Sequence, residues 1–229
     1  MAWSGREFMK LGFTDLSRDE GEKLEFGWKN LFVTIWREIF TLMRANLCFL
    51  LFCIPVITIP PALTALYGIC VDGIRGKKCS TMKIFLQTIK TQFFQSLGIV
   101  LILAILEAVS IVAARFYFGL ECWYGALLGV FTAAMAVIGI IMTHYCFCML
   151  ARVNLPMKQI LKDAFLLAFL NLKFNICSAV LCIALLLVQI LWWLYLLPVI
   201  LTIGVALITY LSTYFSLYGL QKYVLTEEL

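Results

Sequence analysis

The residues able to do chemistry in this 229-residue chain are few, and they stand inside apolar sequence. Glu107 lies about half-way through the stretch 94–118, where an ionised carboxylate is expensive unless it is neutralised or paired. Arg115 follows eight residues later on the same helical face, with Ile111 between them. Glu107 reads first as a structural carboxyl that is protonated or hydrogen-bonded between helices, and more sharply, with Arg115, as a proton or substrate site. His144, the one histidine, sits about two turns from the end of the stretch 123–150. An antiparallel neighbour would bring Asn175 and Ser178 to similar depth. Arg37, Thr41 and Arg44, spaced i, i+4 and i+7, form one basic stripe that approaches from an earlier helix. Arg37, Arg44, His144 and Asn175 are thus a candidate inner polar cluster, although snorkelling arginines and a hydrogen-bonded histidine account for the same residues.

Several chemistries are excluded. The sequence has no Walker A loop, no GxSxG, no HExxH and no second histidine. ATP hydrolysis, serine hydrolysis and a multi-histidine metal site therefore fall away. Cys146 and Cys148 form a CxC beside His144, but residues two apart on a helix point to different faces, so they read as packing. The expectation is a non-enzyme with no metal, no cofactor and no nucleic-acid partner.

The elements that must position these residues are membrane helices. With 63% hydrophobic residues, 14% charged and a mean hydropathy of +0.99, the chain is more apolar than a soluble domain of this size. An all-α, polytopic membrane protein in contact with the lipid bilayer is expected. Residues 94–118, 123–150, 174–194 and 198–217 are each long enough to cross roughly 30 Å of hydrocarbon. The turns at 119–122 and around 195–198 make two tight antiparallel hairpins. Residues 1–30 carry charges throughout and no apolar signal core, so they are expected to remain in the cytoplasm.

Charge sets the expected orientation. All of the 18 Lys and Arg except Arg115 fall in groups at 6–44, 75–90, 152–173 and 222, which share one side if the chain crosses an even number of times between groups. That side is the cytoplasm, and both termini lie there. The count bears most on residues 45–71, an uncharged stretch broken by Pro55, Pro60 and Pro61. One crossing would strand a basic group outside. Pro55 removes a backbone donor and residues before proline prefer extended backbone, whereas Pro61 suits a first helical turn. The expectation is a proline-broken hairpin with arms at 31–54 and 61–74, giving about six spans; a re-entrant hairpin is the alternative. The transmembrane domain then covers 31–220, between a cytoplasmic segment 1–30 and a tail 221–229.

Met82-Lys83-Ile84-Phe85-Leu86-Gln87-Thr88 aligns with Met157-Lys158-Gln159-Ile160-Leu161-Lys162-Asp163 at an offset of 75 residues. Both follow a basic loop and precede a span, and their apolar spacing predicts two cytoplasmic amphipathic helices, at 82–92 and 157–170. Trp123, Tyr124, Trp192, Trp193 and Tyr195 concentrate at the opposite side as an interfacial belt or, more sharply, a sugar-stacking platform.

Asn46, an apolar run, and then Ile54-Pro55-Val56-Ile57-Thr58-Ile59-Pro60-Pro61-Ala62-Leu63-Thr64-Ala65-Leu66-Tyr67 resemble the motif of the YesL family, also called DUF624. The motif positions are Asn46, Pro55, Thr58, Pro61, Ala62 and Tyr67. Residues 85–96 and 145–171, including Ala151-Arg152 and Asp163-Ala164-Phe165, are similar to the same family, and Pro60 stands where its members usually carry glycine. The resemblance implies a bacterial integral membrane protein without an established activity, of a kind commonly encoded beside carbohydrate ABC importers. The first reading of function is therefore a non-catalytic accessory to carbohydrate uptake, meeting ABC permease subunits through the surface helices. A stand-alone small-molecule carrier and a membrane sensor or scaffold with a soluble partner are the alternatives.

Overall fold

The computed structural model describes residues 27–77, 80–120, 122–152, 155–170 and 172–220. Most of the expected segment 1–30 and the whole of the tail 221–229 lie outside the described residues. Helix α1 (Trp28–Phe52) is followed by a single 3-10 turn (Val56–Thr58) and helix α2 (Ile59–Ile74). The hairpin expected from the prolines is therefore present. Pro55 is extended at φ −80° and ψ 110°, and Pro60 and Pro61 occupy the first turn of α2, where no backbone N–H is required. Thr58 ties the reversal together. Its hydroxyl reaches the carbonyls of Phe52 and Pro55, the latter at 2.6 Å.

Helix α2 is the axis of the bundle. Ala62, Ala65, Leu66, Cys70 and Val71 have no exposed surface, and 14 of the 16 residues of the helix are buried. Small residues line its contacts: Gly68 faces Ala151, where an added Cβ would stand in ordinary contact at 3.6 Å. Against α2 pack α1, α3 (Thr81–Phe118), α4 (Trp123–Leu150) and α8 (Val205–Leu220), while α5 (Met157–Leu170) packs on α4 and α6 (Leu172–Leu191) on α8; α7 (Trp193–Val199) is joined to α8 by a π turn (Ile200–Gly204).

Among the described residues, five segments are long and apolar enough to cross a membrane: Val56–Ile74, Thr81–Phe118, Trp123–Leu150, Phe174–Leu191 and Tyr195–Leu217. The chain is a multi-pass, all-α membrane protein. Helix α1 has the length for a sixth crossing but carries Lys29, Arg37, Glu38 and Arg44, and so stands apart from the five by composition.

Two expectations are corrected. No separate surface helix forms at 82–92, because nothing between Thr81 and Phe118 stops the helix and α3 runs through without a break. The expected partner does form as α5, and the aligned residues Phe85 and Ile160 are both fully buried. The second correction concerns the last hairpin. Its turn falls at Trp192, and Pro198 lies inside α7 rather than at the start of a span.

Pro198 lacks an amide donor and its ring crowds the preceding turn, so the ladder does not continue undisturbed. The widened turn at Ile200–Gly204 follows it. Asn46 of α1 fills the gap. Its Nδ2 donates to Ile200 O at 3.2 Å and Leu201 O at 2.8 Å, and its Oδ1 accepts from Ala206 N at 3.0 Å. Gln189 donates to Gly204 O at 3.4 Å from the other side. Asn46 is wholly buried, so its loss leaves backbone groups unpaired at about 1–3 kcal/mol each. Asn46→Ala is expected to lower the melting temperature in detergent more than Leu47→Ala, a substitution at the next and exposed position; equal melting temperatures for the two variants would count against the clamp.

Candidate functional site

The polar side chains that meet inside the bundle do so around α2. Tyr67 presents its hydroxyl to His144 Nδ1 at 2.5 Å and stacks its ring on Phe147 at 5.4 Å between centroids. Both partners lie on one stripe of α4, three residues apart. One α2 turn further on, Asp72 forms an ion pair with Arg152, whose guanidinium also donates to Gly68 O at 2.7 Å. Arg37 of α1 donates to Gly73 O at 3.2 Å and bonds Glu38 at 3.2 Å. Arg37 thus covers a carbonyl in the last turn of α2, the end at which a helix favours positive charge, while Arg152 reaches one in its middle.

The four residues of the expected inner cluster do not converge. His144 turns toward α2, whereas Asn175 accepts from Tyr145 Oη at 2.7 Å and donates to Ala168 O at 3.0 Å and Leu167 O at 3.3 Å, tying α4, α5 and α6 together. Arg37 braces α2, and Arg44 is exposed on the outside of α1. Glu107 and Arg115 also stay apart: Arg115 is exposed near the end of α3, and Glu107 rests against Gly139 of α4. The belt residues Trp123, Tyr124, Trp192 and Tyr195 are all exposed at the ends of the two hairpins. The side chain of Trp193 lies outside the described residues.

The motif positions have assignable roles. Asn46 bridges the π turn, Pro55, Thr58 and Pro61 shape the reversal, Ala62 gives α2 its close approach, and Tyr67 holds His144. Residues 42–113 match the family model described as Protein of unknown function, DUF624. Over those residues, about a third of the chain, it is similar to that family. No curated protein and no solved structure matches the chain. Five of these six motif positions serve the hairpin and its anchors, so the DUF624 motif reads first as the specification of a fold.

Sequence reasoning missed Asp72, Arg152 and Asp163. Arg152 counted as one charge in a basic loop and, like Asp163, as part of the family resemblance, without a structural role; Asp72 was assigned none. Asp163 sits on the stripe of α5 that faces the bundle, with Ile160, Ala164, Leu167 and Ala168. It is 5% exposed and its Oδ2 has no hydrogen-bond partner. Burial pushes its carboxyl up to about 6, against a smaller opposing effect of Lys162.

The folded state therefore holds the Asp163 proton more tightly than the unfolded chain does. Stability contributed by the protonated group is full at low pH and falls as pH rises from about 4 to 6. Asp163→Asn should raise the melting temperature above native at neutral pH, with the advantage vanishing near pH 4; an advantage constant across that range would contradict this placement.

Proposed function

We propose that this protein is a non-catalytic accessory to a carbohydrate ABC importer, of the YesL type. It lies in a bacterial cytoplasmic membrane with both termini in the cytoplasm. The observation that carries the reading is the outward face of α5. Its buried stripe is spent on the bundle, and the opposite face presents Lys158 and Lys162 and then Phe165, Leu166, Phe169 and Leu170, all exposed. The start of α3 repeats the arrangement with exposed Met82, Lys83, Leu86, Gln87 and Lys90. Basic and apolar residues side by side, next to the basic loops, suit a partner that is itself anchored at the membrane surface.

The interior supports the same reading. A carrier needs convergent polar groups free to receive a solute. Here Tyr67 holds His144, Tyr145 holds Asn175, Asp72 holds Arg152, and Cys182 lies 3.1 Å from Ser212 Oγ. These contacts fasten one helix to another. The carbohydrate link rests on what the DUF624 resemblance implies.

The test is capture from a mild-detergent extract. A tagged native chain is expected to recover ABC permease subunits, and replacing Lys158, Lys162, Phe165 and Phe169 together should reduce the recovery at least about tenfold, the equivalent of 1.4 kcal/mol. Sugar counterflow by the purified protein alone in liposomes would overturn the reading.

A further inference from the structure

We propose that Glu107 is an intramembrane proton-binding carboxyl, held as the neutral acid between α3 and α4 and open to a carbodiimide arriving from the lipid phase. Both carboxyl oxygens are shielded from solvent and have no hydrogen-bond partner. The seat is built for the group. A Cβ added at Gly139 would overlap Glu107 Oε1 and stand 3.1 Å from its Cδ, so the residue opposite the carboxyl must be glycine for it to lie there.

The nearby donors are spent elsewhere. Thr143, one turn along α4, gives its hydroxyl to Gly139 O at 2.9 Å. Ser110 on α3 gives its own to Leu106 O at 2.9 Å. Arg115 lies about 12 Å further along α3 at 1.5 Å per residue and is exposed. Between Lys90 and Arg115 no other charged residue occurs, and the surrounding outward residues Leu101, Ile105, Val109 and Val112 are apolar and exposed. An ionised carboxylate without a partner in such surroundings is far costlier than the neutral acid. The proton is the partner the structure leaves room for.

The neutral acid has a distinctive reaction. Its O–H adds across one C=N bond of dicyclohexylcarbodiimide: the proton goes to nitrogen, the carboxyl oxygen bonds to the central carbon, and an oxygen-to-nitrogen acyl shift yields a stable N-acylurea. Nothing leaves and nothing is oxidised. A carboxylate lacks the proton this addition consumes.

The native protein in liposomes, treated with dicyclohexylcarbodiimide and mapped by peptide mass spectrometry, should carry the adduct on Glu107. A water-soluble, positively charged carbodiimide should leave Glu107 unmodified while modifying exposed carboxyls. Glu107→Gln should lose the lipid-phase adduct completely. Gly139→Ala, which pushes the carboxyl out of its seat, should change the labelling rate several-fold. Absence of the adduct from native Glu107, or its modification by the water-soluble reagent, overturns the proposal. Both observations need only the native chain, so a variant that fails to fold does not obscure the result.

Discussion

The bridge from Asn46 to the π turn is the constraint on which the rest of this bundle depends. A carboxamide can give two N–H bonds and accept others, and Asn46 gives to Ile200 O and Leu201 O while accepting from Ala206 N–H. It thereby ties the backbone of the wide turn after Pro198 to α1. In a membrane no water is present to pair with such groups, and an unpaired backbone group there costs several kcal/mol. The same side chain fixes α1 against the last span. At its other end α1 is held again, by the edge-on contact of Trp28 with Phe215 at 6.0 Å between centroids and the bond from Gly27 N to Tyr214 Oη at 3.3 Å.

With α1 fixed, the reversal at Pro55 to Thr58 delivers α2 to the middle of the bundle. Beside the apolar packing, three polar side chains reach α2: His144, Arg152 and Arg37. The first two hold α4 and its C-terminal end to the axis, and the third holds α1. Hydrophobic packing alone would not fix rotation in lipid, where tails are as apolar as leucine; directional bonds and small-residue contacts do so. The α3–α4 hairpin follows the second route, with a Cβ at Gly129 meeting the Phe118 ring at 2.8 Å and one at Gly125 meeting Leu120 Cβ at 2.7 Å.

The hairpin, the surface helix at 157–170 and the membrane class were legible from sequence because each rests on local chemistry: prolines, helical apolar spacing and uncharged length. The continuity of α3 was not, since a change from amphipathic to fully apolar composition at about residue 93 reads as a boundary although no residue there breaks a helix. Pro198 misled in the opposite direction. Proline is a stop signal in an isolated helix, whereas here Asn46, 152 residues away in the chain, repairs the break. The inner cluster was misjudged for a related reason. Position along each helix was legible, but the direction each side chain faces depends on helix rotation, so His144 and the adjacent Tyr145 serve different partners.

The most direct measurement of this account is amide hydrogen exchange at Ala206 in the native protein in lipid nanodiscs. Its N–H is held at 3.0 Å by the Asn46 side chain of another helix, so exchange should be slow, comparable with that of mid-helix amides in α8, and should become fast together with the opening of α1. Rapid exchange at Ala206 while α1 remains protected would show that Asn46 does not hold the turn, and the ordering of the bundle around that bridge would be contradicted.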